Sequence, residues 1–312
     1  MQPRTALAFA PAVISNFFSI HVESLSNEPP DYSRAGATGG GFTLSKGVYT
    51  SAWAIRSSSR AVSVAVNGDA NYPTDTTRKA VDLLLDASGG PPHVVELVQT
   101  VEVPVRAGFG SSSASALSAV MAVASALDLK YSKEEVASFA HQAEIVRHTG
   151  LGTVSSTYDN AGAAIITRAG GPGVAEVRKV QIPANVRVVT AFLAPKSKGG
   201  LLSSTRMRNK VNRLGAVALE RASDLKLESL LAAGHDFAVD LGLMTQAVKT
   251  LVEVALESGA IGASQNMIGN AIHAVVRDRD AGRVSSALQD ASRSAKVDQF
   301  RIGGRTARVL AE

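Results

Sequence analysis

Cysteine is absent from the 312 residues, which excludes a disulfide framework, a thiol nucleophile and any Cys-ligated metal site. Aromatic residues make up 5% of the chain, too few for a base-stacking surface, and no run of five or six basic residues marks a nucleic-acid tail. No apolar stretch reaches the ~18 residues of a membrane-spanning helix. The apolar segment Ala6–Ile14 follows Arg4 but contains Pro11 and lacks a small-residue cleavage site, so it reads as a buried strand rather than a leader. These absences predict a soluble, cytoplasmic protein with neither membrane nor nucleic acid as partner. A hydrophobic content of 45% and a charged content of 19% fit a globular chain, and its length points to two lobes. The net charge of +5 suits small anionic ligands such as phosphates and carboxylates.

The stretch Pro104-Val-Arg-Ala-Gly108-Phe109-Gly110-Ser111-Ser112-Ser113-Ala114 follows a β-branched segment, Val94–Val103. It precedes a helical run in which Leu117, Val120, Met121, Ala124 and Leu127 line one face. Two glycines let backbone N–H groups crowd toward a ligand, and a helix start offers unpaired donors and partial positive charge. The turn therefore reads either as a phosphate loop, without the lysine of the Walker pattern, or as a polar loop with a serine cap.

Along the chain, Thr5–Ile14 is predicted as a strand broken at Pro11 and Phe17–Val22 as a second extended piece. Asn27–Gly41 reads as a glycine-rich loop, and Val48–Ile55 with Arg60–Asn67 as paired strands. A helix is expected from Asp75 to about Ala87. Ser132-Lys-Glu-Glu135 is a capping box opening a helix that ends near Thr149-Gly150, with His141, Glu144 and His148 on its polar flank. That trio admits a zinc or iron site only if partners converge from elsewhere. Gly150-Leu-Gly152 is a second glycine turn, and residues 161–182 read as a β-hairpin. Pro183-Ala-Asn185 is the expected boundary, giving domains 1–184 and 185–312. Beyond it come a strand (186–194), a basic stretch (Ser203–Arg213) and helices near 214–222, 224–233 and 237–257. A third small-residue turn, Gly259-Ala-Ile-Gly262-Ala263-Ser264, precedes a segment 271–276, a helix near 281–294 and a last strand, 299–310. Alternating strands and helices in both halves predict an α/β (α+β) fold.

The pattern Pro-x-x-x-Gly-x-Gly-Ser-Ser-x-Ala at 104–114 resembles the second signature of the GHMP superfamily, the galactokinase, homoserine kinase, mevalonate kinase and phosphomevalonate kinase group. Ala10-Pro11-Ala12-Val13-Ile14 and Gly259–Ser264 lie where that superfamily carries its first and third signatures. Ala-Pro-Ala-x-Ile-x-x-Phe-Phe at 10–18, Leu44–Val48, Gly150-Leu-Gly152, Ser204-Thr205 and Ala263-Ser264-Gln265-Asn-Met267-Ile-Gly269-Asn are similar to the archaeal pantoate kinases. The resemblance implies a ribosomal protein S5 domain 2-like N-terminal domain, a ferredoxin-like C-terminal domain, and a cleft holding ATP, Mg²⁺ and a small anionic hydroxy acid. A homodimer is an expectation from the family.

By that resemblance Pro104, Gly108, Phe109, Gly110, Ser111, Ser112, Ser113 and Ala114 would hold the nucleotide, with Ser112 and Glu144 on Mg²⁺. Asn16, Arg147, Gly150, Gly152, Gly262, Ala263 and Ser264 would border the acceptor. The alternative for Glu144 is a solvated helix residue, and for 259–264 an ordinary helix-to-helix turn. Two positions depart from the pattern. Val13 stands where many superfamily kinases have Lys and pantoate kinases His, and Thr153 stands where pantoate kinases carry an Asp after the glycine turn. Asp159 is a substitute base or a turn cap. The implied acceptor is pantoate, in coenzyme A biosynthesis. The alternatives are a phosphorylated mevalonate such as mevalonate 3-phosphate, with Arg56, Arg60, Arg147, Arg206 and Arg208 available for its second anionic group, or a non-catalytic nucleotide-binding relative.

Overall fold

The computed structural model describes residues 4–194 and 204–311; Ser203, the first residue of the basic stretch, lies outside them. Two long strands, β1 (Arg4–His21) and β2 (Gly36–Arg56), form an antiparallel pair that is the spine of the first sheet. β1 is one strand, not two: its ladder passes Pro11, which has no N–H to donate, through one register shift and Ser15–Phe17 through another. Residues 36–41, expected as part of a loop, also belong to β2. Gly39 shows why, since a Cβ there would sit 2.4 Å from the carbonyl oxygen of Phe17. The glycines let the two backbones approach and do not loosen the chain.

β3 (Ala61–Val66) does not pair with β2. β4 (His93–Val101) lies between them, antiparallel to β2 and parallel to β3. A parallel pair needs a crossover, and α1 (Asp75–Ser88) supplies it. Three helices follow β4: α2 (Ser111–Ala126), α3 (Lys133–Val146) and the single turn α4 (Thr153–Thr157). α2 is buried on nearly all sides, which its alanine- and valine-rich sequence permits. α3 begins at a complete capping box between Ser132 and Glu135. The hairpin β5 (Ala163–Arg168) and β6 (Glu176–Val180) extends the sheet against Gly39–Phe42 of β2.

The second sheet is built from β7 (Val186–Phe192), β8 (Gly262–Gln265), β9 (Ala271–Arg277) and β10 (Lys296–Arg301). α5 (Thr205–Arg221), α6 (Leu227–Leu241) and α7 (Gln246–Glu257) separate β7 from β8, and α8 (Ala281–Ala291) separates β9 from β10. The spatial order β10-β7-β9-β8, antiparallel throughout, is that of a ferredoxin-like sheet. The basic stretch is the first half of α5, because the Ser204 side chain accepts from the Met207 N–H and starts the helix there. The third small-residue turn leads into β8 and does not join two helices. The expected last strand is two strands: after β10 the chain turns at Gly303 and Gly304, and β11 (Arg308–Ala311) returns to pair with β1 in the first sheet.

Both sheets share one hydrophobic core, with Phe17 and Phe42 on one side and Leu230, Phe237 and Ala263 on the other. Asn212 of α5 ties the halves with polar bonds, accepting from Ile20 N–H at 2.7 Å and donating to Ile20 C=O at 3.0 Å. None of the helices among the described residues is long and apolar enough to cross a membrane.

Candidate active site

The turn 104–110 leaves β4 and winds into α2 through Arg106 (φ 59°), Gly108 (φ 82°) and Gly110 (φ 58°). Left-handed residues curl the backbone so that successive N–H groups face one side. Gly110 is the N-cap of α2, with no side chain filling the cap. The first bond of the helix ladder, Ala114 N–H to Gly110 C=O at 3.1 Å, leaves the N–H groups of Ser111, Ser112 and Ser113 outside that ladder. β1 holds the turn in place, because Val13 N–H donates to Phe109 C=O at 3.0 Å. From the second sheet, the Phe300 ring packs 6.0 Å from that of Phe109. Pro104 is buried at the base and Ala114 one turn into the helix.

The three serines divide. Ser113 Oγ donates to Glu144 Oε2 at 2.5 Å. Ser112 Oγ is buried and has no hydrogen-bond partner, an orphan that a buried hydroxyl avoids unless a ligand atom completes it. Ser111 is the first residue of the helix.

Glu144 is not a solvated helix residue: it is 1% exposed. Thr149 Oγ1 donates to its second carboxylate oxygen at 3.3 Å, and the Cα of Gly150 lies so close that a Cβ there would fall 2.3 Å from Oε2. Thr149 in turn meets Thr76 of α1 at 3.2 Å, so the carboxylate is held by α2, by the end of α3 and, through Thr149, by α1. Sequence reasoning missed Ser113 and Thr149 as its holders. Thr149 was visible only as the neighbour of the Gly150 turn.

His141 and His148 do not join Glu144. His141 is buried and engaged elsewhere, its Nε2 hydrogen-bonded to Ala35 C=O at 3.0 Å, and burial pushes its pKa below the ordinary value against the bonds to Ala35 and Tyr32 that raise it. His148 is exposed, and the described residues contain no cluster of three metal-ligating side chains. Asp159, the candidate substitute base, is 69% exposed and paired to Lys133 at 2.8 Å. Arg147 is exposed, its N–H closing the end of α3 on Ala143 C=O. Arg60 is engaged by Asp86, while Arg56 and Arg206 lie exposed.

Val13 and Thr153, the two departing positions, meet at one place. A Cβ on Gly110 would lie 2.4 Å from Val13 Cγ1 and 3.3 Å from Thr153 Cγ2. Gly152 is the buried N-cap of α4, directly before Thr153. Beside this wall Asn16 is 0% exposed, and neither of its amide atoms has a protein partner. It packs on Gly234 of α6, whose carbonyl accepts from Ser264 Oγ at 3.2 Å. Ala263 C=O accepts from His235 Nδ1 at 3.0 Å, and Gly262 opens β8 against Leu231. Asn16, two residues past the first signature segment, and Ser264 of the third thus meet at Gly234.

The donor set fits Mg²⁺ and a nucleotide phosphate: an unpartnered hydroxyl, a buried carboxylate and a row of helix-start N–H groups are oxygen ligands and anion donors.

Residues 75–166, from α1 through β5, match the model of the GHMP kinases N terminal domain. A pantoate kinase of Thermococcus kodakarensis is 28% identical over 293 residues, covering 91% of each chain. A mevalonate kinase of Pyrococcus furiosus is 26% identical over 214 residues, 60% of each chain. A solved structure of a phosphotransferase related to the CoA biosynthesis pathway is 25% identical with a TM-score of 0.84, covering 98% of this chain and 99% of that one. In its fold, its phosphate turn and these matches, the chain is similar to the GHMP kinases, and the likeness supports an ATP-dependent phosphotransferase with a hydroxyl acceptor.

Proposed function

We propose that this chain transfers the γ-phosphoryl of ATP to a hydroxyl of pantoate. The observation that carries the choice of acceptor is the extent of likeness: the pantoate kinase match runs along nine-tenths of both chains, while the mevalonate kinase match runs along 60% of each. We take residues 1–184 and 185–312 as the two domains, with β11 stitched back into the first sheet.

When bound, Mg²⁺·ATP supplies the phosphoryl group and a cation that offsets charge on the phosphate oxygens. The N–H groups at 111–113, with the curled backbone at Gly108 and Gly110, bind and orient the phosphates. Ser112 Oγ and the Glu144 carboxylate hold the cation, Glu144 being fixed by Ser113 and Thr149. Asn16, Gly150, Gly152, Gly262, Ala263 and Ser264 border the acceptor, and Arg147 lies at the rim. Val13 and Thr153 place no titratable group against Gly110, so the chain positions the acceptor hydroxyl without a side-chain base there. A loose phosphoryl-transfer transition state tolerates this, because little proton removal is needed early.

The test is turnover of ATP against pantoate, mevalonate and mevalonate phosphates. Turnover with pantoate at a kcat/KM at least about tenfold above the others is expected. Preference for a mevalonate compound would transfer the assignment to the second reading, which the mevalonate kinase match favours. Binding of Mg²⁺·ATP with no turnover of any acceptor would indicate a non-catalytic relative.

A further inference from the structure

The second sheet reaches the phosphate turn through a buried polar chain. Asn266, just after β8, is 0% exposed, and its Nδ2 points to Ala107 C=O at 3.5 Å. Its Oδ1 meets Nδ1 of His273, in β9, at 3.0 Å. A carbonyl oxygen on Ala107 takes only a donor, so the amide group turns its NH₂ that way and its oxygen to the imidazole, which fixes the proton on Nδ1. His273 is fully buried beside the Phe42 ring, 5.4 Å away and edge-on, and burial holds its pKa near 3, so it remains neutral. Around this chain the backbones touch. A Cβ on Gly108 would fall 2.8 Å from Asn266 Cβ, and one on Gly269 would fall 2.2 Å from Ala107 oxygen and 2.6 Å from Gly108 nitrogen.

We propose that His273 is a positioning residue for nucleotide binding: through Asn266 it locks the 266–269 turn of the second sheet onto Ala107 and Gly108 and so fixes the curl of the phosphate loop. Neither side chain touches the nucleotide. The imidazole N–H holds the Asn266 amide in the orientation that faces Ala107, and that amide together with the facing glycines sets the backbone. This inference rests on the reading of 104–114 as the nucleotide-binding turn.

The experiment measures Mg²⁺·ATP affinity by calorimetry, with steady-state kinetics alongside, for His273→Leu, His273→Asn, Asn266→Ala and the double variant His273→Leu/Asn266→Ala. Asparagine places an N–H donor near the position of Nδ1; leucine fills the volume without one. Expected are a loss of ATP affinity of about tenfold in His273→Leu, acceptor KM within about twofold of the parent, and recovery in His273→Asn. The double variant is expected to bind about as weakly as Asn266→Ala alone. Should His273→Leu not fold, Asn266→Asp carries the test, since it still accepts from the imidazole but offers no donor to Ala107; parental ATP affinity in it overturns the proposal. Parental affinity in His273→Leu, equal loss in the leucine and asparagine variants, or additive losses in the double variant also overturn it. A parent chain that itself binds no Mg²⁺·ATP overturns the nucleotide reading instead, and the positioning role falls with it.

Discussion

Gly150→Ala displaces one carboxylate, and saturating acceptor in the assay keeps any effect on acceptor binding out of kcat. The added methyl carbon would lie 2.3 Å from Glu144 Oε2, 2.7 Å from Cδ and 2.8 Å from Oε1, whereas ordinary contact starts near 3.4 Å. The far end of a side chain yields before backbone does, so the fold survives and the carboxylate retreats by about 1 Å. That retreat breaks or stretches the Ser113 bond, now 2.5 Å. A hydrogen bond to a charged group contributes roughly 1.5–3 kcal/mol, and a misplacement of about 1 Å in a catalytic constellation can cost on the order of a hundredfold. The expected result is a fall in kcat of ten- to a hundredfold, on the order of 1–3 kcal/mol, with a higher Mg²⁺ concentration at half-maximal rate. The assay is initial rate against Mg²⁺ at saturating ATP and acceptor, with thermal unfolding in parallel. Gly282→Ala is the control: a Cβ there meets nothing within 4 Å, and it lies in α8, so unchanged kinetics and a stability gain of roughly 0.5–1 kcal/mol are expected. If Gly150→Ala keeps both kcat and its Mg²⁺ dependence within about twofold, Glu144 is not the metal carboxylate and the reasoning fails.

Further outcomes follow from other residues. Ser112→Ala removes a buried hydroxyl that has no partner, so melting temperature should hold or rise while kcat drops at least about tenfold; loss of stability with parental kcat would contradict the assigned role. His273, at about 3, and His141, lowered by burial, both have folded pKa values below the ordinary 6.5. The unfolded chain therefore binds more protons, and stability is present above pH 6.5 and lost as pH falls below it. For His273 the loss is about 3 kcal/mol by pH 4, and denaturant titration of His273→Asn should show a flatter acid limb. Thr153→Asp sets a carboxylate beside Gly110 and is expected to raise pantoate turnover with a new acidic limb in the pH–rate profile; reduced turnover at every pH would show that this position cannot serve as a base.

Much of the site was legible because its parts are local. Helix period, paired glycines and a serine run marked the turn and α2, and Ser132 with Glu135 marked the start of α3. Pairing was less legible. Nothing in Val62–Val66 says that its neighbour is the later strand β4 and not β2, since alternation reports a face and not a partner. Gly36–Gly41 looked like a loop because glycine density signals freedom when read locally, whereas here it answers the closeness of β1. Glu144 looked exposed because its helix carries polar neighbours; its burial comes from Thr149, Gly150 and Ser113, which only folding assembles. The role of Asn266, seen only as one residue of a motif, and that of His273 were invisible for the same reason, as both act across the space between the sheets. The return of β11 to the first sheet depends on two glycines that the strand-like flanks concealed.

That return has a mechanical consequence. The polypeptide crosses from one lobe to the other after β6 and crosses back after β10. With two covalent tethers the lobes cannot swivel freely as they would on a single linker. Cutting the chain between Ile302 and Ala307 would leave a single covalent link between the lobes, with only their shared core and cross-sheet hydrogen bonds to hold them in register.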